Sequence, residues 1–446
     1  VNSILSWSTV SGAVPAGVTA AGAISLLWLL AVRGRRWWLR LAPAAVAAGV
    51  TLTAVVVVLV DHVWRPFPDS LPLTVQVWVG VALTALGLGA VRSWSAPWPQ
   101  RVLASVAAVL ILTCAAVQVN RFYGQYPTVR AALGLAPAGV ARFKPNAAGT
   151  PSPSGSPATT VTAPPGRPLA EVWRAPPAMP RRGALSEVDI PAHVSRFAAR
   201  RGWVYLPPAY LAHPRARLPV LVLLSGQPGS PRDWLDGGRL DSVLDGFAAA
   251  HAGLAPVVVI PDHLGAVLAN PLCLDSRLGK VETYLSVDVP AWIKAVLDVD
   301  QDPRHWAIGG YSQGGTCALQ LGVRAPHVYP TFIDVSGQDE PTLGDRQGTV
   351  RAAFDGDEAA FRRVNPLDIL AHRRFPTTSA MIVVGRQDER YRPQQHRVRG
   401  ACHAAGMDVT SLELPGGHSW AVWGPGLEQS LPWLAARTGL TADRPK

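Results

Sequence analysis

Hydrophobic positions divide this chain into two parts with different periodicities. In the first third, four uninterrupted apolar runs follow one another: 13–32, 41–60, 71–91 and 102–119. Each is close to the roughly 20 residues that cross a bilayer as a helix. Buried helices of a soluble domain are the alternative, but four successive runs almost free of charge favour a four-helix transmembrane region over residues 1–122. Residues 123–182 read as a connector. Its opening holds aromatic residues, and from about 146 to 168 it is Pro, Ser, Thr, Ala and Gly without periodicity. That composition makes a flexible linker, and about 25 such residues span about 25–30 Å.

From 183 to 440 short apolar runs alternate with helical spacing, leaving a tail at 441–446. Strands are predicted at 201–208, 218–224, 256–260, 305–309, 331–336, 380–384 and 409–414, and helices at 242–251, 285–297, 316–323, 392–405 and 427–437. Near-continuous apolar strands separated by helices predict a mainly parallel sheet sandwiched by helices. The natural architecture is an α/β-hydrolase domain.

Charge adds an orientation. The net charge is +11 with a pI near 10.0, and lysine occurs only at Lys144, Lys280, Lys294 and Lys446. Arg33, Arg35, Arg36 and Arg40 lie between the first two runs, and Arg92 and Arg101 between the last two. The connection between them has Arg65 offset by Asp61 and Asp69, and residues 1–12 carry no charged side chain. Arginine-rich connections stay on the cytoplasmic side. The chain is therefore expected to be a multi-pass protein of the cell membrane, with everything after Asn120 extracytoplasmic. A cleavable leader is disfavoured because the arginines follow the first run. No acidic or basic residue sits mid-span, so the spans read as an anchor before a transporter. No basic stripe interleaves with aromatics, which argues against a nucleic-acid partner. The oligomeric state is left open.

Four cysteines, Cys114, Cys273, Cys317 and Cys402, form no C-x-x-C pair, so no metal site and no cofactor is expected. Cys273 with Cys317 as a disulfide, and three free thiols in this domain, are both open.

The chemistry centres on Gly310-Tyr311-Ser312-Gln313-Gly314, which follows an apolar run and opens a helical stretch. G-x-S-x-G between strand and helix is a nucleophile elbow. A serine hydroxyl needs a base, and the base an orienting acid. In this architecture they follow in the order Ser, acid, His. Asp388, after the run 381–385, is the candidate acid, with Glu389 as its alternative, and His418 after the last strand is the candidate base. His263 follows an earlier strand and stands evenly between a substrate contact and an ordinary surface residue. Oxyanion donors are expected at the backbone N–H groups of Gln313 and Gln227, with Gly226 letting the chain close in.

Three segments resemble the antigen 85 mycolyltransferase and esterase D family: the elbow, Glu282-Thr283-Tyr284-Leu285, and His418-Ser419-Trp420-Ala421-Val422-Trp423. The resemblance covers about 186–436. It implies serine acyl chemistry on lipid-like or thiol and alcohol esters without a metal. The combination with four spans is similar to membrane-anchored esterases of actinobacteria. The family opens its oxyanion loop with Leu-Leu-Asp-Gly, where this chain has Leu223-Leu224-Ser225-Gly226, and often uses Glu as the acid. The expected function is a serine esterase or acyltransferase acting on lipid or cell-envelope esters. An inactive hydrolase-fold binding or sensor domain on a membrane anchor is the alternative.

Overall fold

The computed structural model describes residues 2–94, 96–137, 139–143 and 160–442. The linker expected over 146–168 falls outside the described residues up to 159, as does most of the tail. Two compact units are present, Val1–Ala136 and Pro137–Lys446.

The first unit holds four long helices: α1 (Ala13–Leu30), α2 (Trp37–Trp64), α3 (Leu73–Ser93) and α4 (Trp98–Tyr123). All four are long and apolar enough to cross a membrane. Most of their large apolar side chains, such as Ile24, Leu27, Val50 and Val109, face outward. Small residues lie where the helices meet. A Cβ on Gly22 would collide with Cys114, and one on Gly49 with Thr84. Small residues at such contacts let helix backbones approach closely.

The second unit is built on an eight-stranded sheet. Its strands are β1 (Ala184–Val188), β2 (Gly202–Leu206), β3 (Val220–Leu224), β4 (Val257–Ile260), β5 (Trp306–Tyr311), β6 (Thr331–Val335), β7 (Ser379–Gly385) and β8 (Asp408–Leu414). Their order is β8-β7-β6-β5-β3-β4-β2-β1. The six strands from β8 to β4 are parallel, and β2 and β1 join antiparallel at the edge. β3, β4, β5 and β6 are buried throughout. That burial on both faces explains their uninterrupted apolar sequence. One core includes Val222, Ile308, Leu319 and Phe332; the other includes Leu223, Ile333, Trp234 and Leu427.

Five helices matter here: α5 (Leu240–Ala250), α6 (Val289–Val296), α7 (Gln313–Arg324), α8 (Tyr391–Ala404) and α9 (Trp420–Arg437). The C-terminal helix was expected to begin at 427 but starts at Trp420. Pro425 and two glycines disguise its first turns, yet packing of Trp420, Val422 and Trp423 holds them. β1 and three short helices between Arg346 and Leu370 were not legible in the sequence. Elsewhere the predicted strands fall within a few residues of the observed ones, and the α/β-hydrolase architecture is present.

Candidate active site

β5 is a central strand of the sheet, between β6 and β3, and ends at Tyr311. The chain reverses at Ser312, with φ 52° and ψ −123°, and enters α7 at once. A serine with positive φ is strained, and such residues persist where surroundings over-determine them. Here the Ser312 N–H donates to Val335 O on β6 at 2.8 Å. The flanking glycines leave room for the turn: a Cβ on Gly310 would strike Gly314, and one on Gly314 would strike Ser225 O and Leu224 O.

The three dispersed candidates meet. His418 Nε2 lies 2.9 Å from Ser312 Oγ, and His418 Nδ1 lies 2.8 Å from Asp388 Oδ2. Asp388 is buried, while the alternative acid Glu389 is exposed. The second carboxylate oxygen of Asp388 accepts the N–H of Tyr391 at 3.1 Å. The loops carrying acid and base are joined to each other. Gln387 N–H donates to Gly416 O at 3.0 Å, and Gly416 N–H donates to Gln387 Oε1. Gly416 takes φ 123° to make that exchange, a conformation suited to glycine.

Aromatic rings enclose the imidazole. Tyr391 stacks on His418, and Trp423 meets it edge-on at 5.0 Å. Gln387 and Tyr391 both lie close to the acid in sequence, Gln387 immediately before it and Tyr391 three residues after, but no motif marks either of them.

Gln313 follows the serine directly in the chain, and the loop that carries Gln227 approaches it through Gly226. A Cβ on Gly226 would lie 2.5 Å from the Tyr311 ring and 3.2 Å from Ser312 Cβ, so the β3 loop presses directly on the elbow. Gln227 follows and donates from its side chain to Leu268 O at 3.0 Å. Gln313 opens α7, where a backbone N–H has no acceptor within the helix.

His263 takes neither expected place. It is completely buried, with Nε2 2.7 Å from Gln313 Oε1. Burial lowers its pKa, outweighing the Gln313 bond and Asp262. Asp262 beside it is opposed by burial, but bonds from Arg200 and its charge leave it lowered overall. Asp233, which opens a short helix (Asp233–Asp236) after the β3 loop, is raised to about 6 by burial despite hydrogen bonds from Ser230 and Tyr311.

Cys273 and Cys317 form a disulfide with their Cα atoms 5.5 Å apart, resolving the alternative that the sequence left open. Together with His263 they group three potential metal-ligating side chains, one histidine and two cysteines, whose ligand atoms lie within 4.8 Å of one another. With both sulfurs in the disulfide, no thiolate is offered to an ion. Cys402 is free and buried, its thiol pushed up to about 12 by burial and by Asp334.

The family model described as "Putative esterase" matches residues 198–434, more than half of the chain. The chain belongs to the esterase family. An uncharacterized protein of Corynebacterium glutamicum is 36% identical to this esterase-family chain over 449 residues, covering 97% of this chain and 99% of that one. Among solved structures, a ferulic acid esterase superposes with a TM-score of 0.50 at 19% identity, over 57% of this chain and 98% of the other. Also similar are an S-formylglutathione hydrolase from Agrobacterium tumefaciens (TM-score 0.48, 20% identity, 58% of this chain and 97% of the other) and Mycobacterium tuberculosis MPT51 (TM-score 0.41, 18% identity, 56% and 97%). At 19% identity, the likeness to the ferulic acid esterase supports the α/β-hydrolase fold and nothing finer. Family and fold together support a hydrolase of the serine type.

Proposed function

We propose that this protein is a membrane-anchored serine esterase or acyltransferase whose catalytic domain faces outward and acts on lipid or envelope esters. The observation that carries the proposal is the relay Ser312 Oγ, His418 Nε2, His418 Nδ1, Asp388 Oδ2, with links of 2.9 and 2.8 Å. In this reading Ser312 Oγ attacks the acyl carbonyl while His418 Nε2 takes its proton. Asp388 holds the Nδ1–H tautomer and stabilises the imidazolium. The tetrahedral oxyanion is met by the N–H groups of Gln227 and Gln313. Collapse expels the alcohol, which leaves with the proton from His418. Water or an acceptor hydroxyl then attacks the acyl-enzyme by the same route in reverse.

Placement outside the membrane is supported by the arginines between the apolar runs and by the disulfide, since disulfides persist in oxidising compartments. The four apolar helices and the domain that follows them would keep the serine near a lipid surface, which favours lipid and envelope esters as substrates.

The test uses the full chain in detergent with a fluorophosphonate probe. Labelling of wild type and none of Ser312→Ala is expected. Equal labelling of both would overturn the assignment. A lipidome comparison of wild-type and Ser312→Ala cells then identifies the ester that accumulates.

A further inference from the structure

One segment binds both candidate oxyanion residues without supplying any part of the relay. It is the strap between β4 and α6, residues 261–281. Leu268 O in the strap accepts the Gln227 side chain at 3.0 Å, and Val267 O accepts Gly229 N–H at 3.0 Å. The strap also surrounds the Gln313 side chain. Gln313 Nε2 donates to Asn270 Oδ1 at 3.3 Å and to Cys273 Sγ at 3.6 Å. Its Oε1 must then accept from His263 Nε2, 2.7 Å away. That fixes His263 as the neutral Nε2–H tautomer, in keeping with the burial that disfavours its charge.

The disulfide closes this arrangement. Cys317 lies on α7 one turn beyond Gln313, and Cys273 lies in the strap. Gln320, one residue short of a further turn, donates to Leu272 O at 2.9 Å. Leu272 and Cys273 are both held at positive φ, 66° and 53°. Apolar and thiol side chains rarely adopt such a conformation, which persists only where neighbours enforce it. The bond to Cys317 is the covalent member of that enforcement. The Gln313 side chain is thus held by partners on a strap that is tied to the same helix.

We infer that the Cys273–Cys317 disulfide is a positioning element for the Gln313 N–H, so that the esterase gains full transition-state stabilisation only once the bond has formed. The inference rests on the serine-hydrolase reading above. In formation, the two thiols give two electrons and two protons to a disulfide oxidant, which leaves as a dithiol. A dithiol reductant reverses the exchange and leaves as its own cyclic disulfide. The reduced strap can relax at 272–273, moving the partners of Gln313, and displacements near 1 Å at such a site cost on the order of 100-fold in rate.

The experiment uses the full chain in detergent, p-nitrophenyl acetate as substrate and an alkyl boronic acid as a tetrahedral analogue. Dithiothreitol is expected to lower kcat about 10- to 100-fold with KM changed less than about threefold. Boronic acid affinity should fall in step with kcat/KM, and reoxidation should restore both. The Cys273→Ser/Cys317→Ser double variant should show the low kcat without any response to dithiothreitol. Cys402→Ser should behave as wild type in both respects. Full turnover by the reduced protein overturns the inference. So does a loss of kcat with boronic acid affinity unchanged, or global unfolding on reduction seen by circular dichroism, which would make the bond a staple only. Absence of Ser312-dependent turnover in the oxidised protein would overturn the serine-hydrolase reading as well; Ser312-dependent turnover indifferent to dithiothreitol would remove this inference alone.

Discussion

The ring of Tyr391 lies against the imidazole of His418, with centroids 4.0 Å apart and planes 16° from parallel. The same residue donates its backbone N–H to Asp388, so one position braces both partners of the candidate serine. Tyr391→Leu keeps the N–H and loses the flat face. It is expected to lower kcat about tenfold with little change in KM, because orientation of the base matters most in the transition state. Tyr391→Phe should retain most of the activity. Steady-state kinetics on a soluble ester checks both.

Asp388 and Glu389 are adjacent in sequence but differ in burial, and only Asp388 is within reach of the imidazole. Asp388→Asn is expected to reduce kcat by about 10⁴, the scale set when the acid of such a triad is replaced by its amide. Glu389→Gln should stay within about twofold of wild type. The reverse pattern would reassign the acid.

The elbow has no space for side chains beside the serine. Gly314→Ala would drive its methyl into the carbonyl oxygens of Ser225 and Leu224, which are backbone and yield little. A destabilisation of about 1–3 kcal/mol or more is expected from such overpacking, with loss of fluorophosphonate labelling. Denaturant midpoints followed by tryptophan fluorescence measure the first effect, and gel fluorescence the second.

Asp334 is buried behind α7, accepting from Gln395 Nε2 at 2.9 Å and Gly337 N–H at 2.9 Å. Burial raises it to about 7 despite those bonds. An unfolded Asp titrates near 4, so the folded state binds the proton more tightly. The resulting stabilisation is full below pH 4 and is lost as pH rises through about 7, a swing of about 4 kcal/mol from this group. Asp233, raised to about 6, acts in the same direction. Asp334→Asn should remove the larger share of the fall between pH 4 and 7, visible as a flatter plot of denaturation midpoint against pH.

Topology reporters test the orientation. Alkaline phosphatase fused after Lys446 should be active and a fluorescent protein there dark, whereas the loop holding Arg35 and Arg36 should give the opposite result.

Much of this arrangement was legible because the signals were local. β3, β4, β5 and β6 are buried on both faces and so read as apolar runs, and the order Ser312, Asp388, His418 needed only the strand–loop context of each residue. What escaped depended on contacts between distant segments. β1 is an edge strand whose sequence, Ala-Leu-Ser-Glu-Val, acquires meaning only by pairing with β2. His263 follows a strand like a cleft residue, and nothing near it in sequence shows that the strap folds it under Gln313. The start of α9 was hidden by Pro425, because helix propensity there is overridden by tryptophan packing.

The reversal at residue 312 has one more consequence. The position of the reactive atom is written into the main chain, through the left-handed φ, the bond to Val335 O and the two flanking glycines, and owes little to which small side chain stands there. The site is therefore chemically reprogrammable. Cysteine at 312 would present a thiol where the hydroxyl now stands without any change of fold, whereas threonine, branched at Cβ, would disrupt the turn that places it.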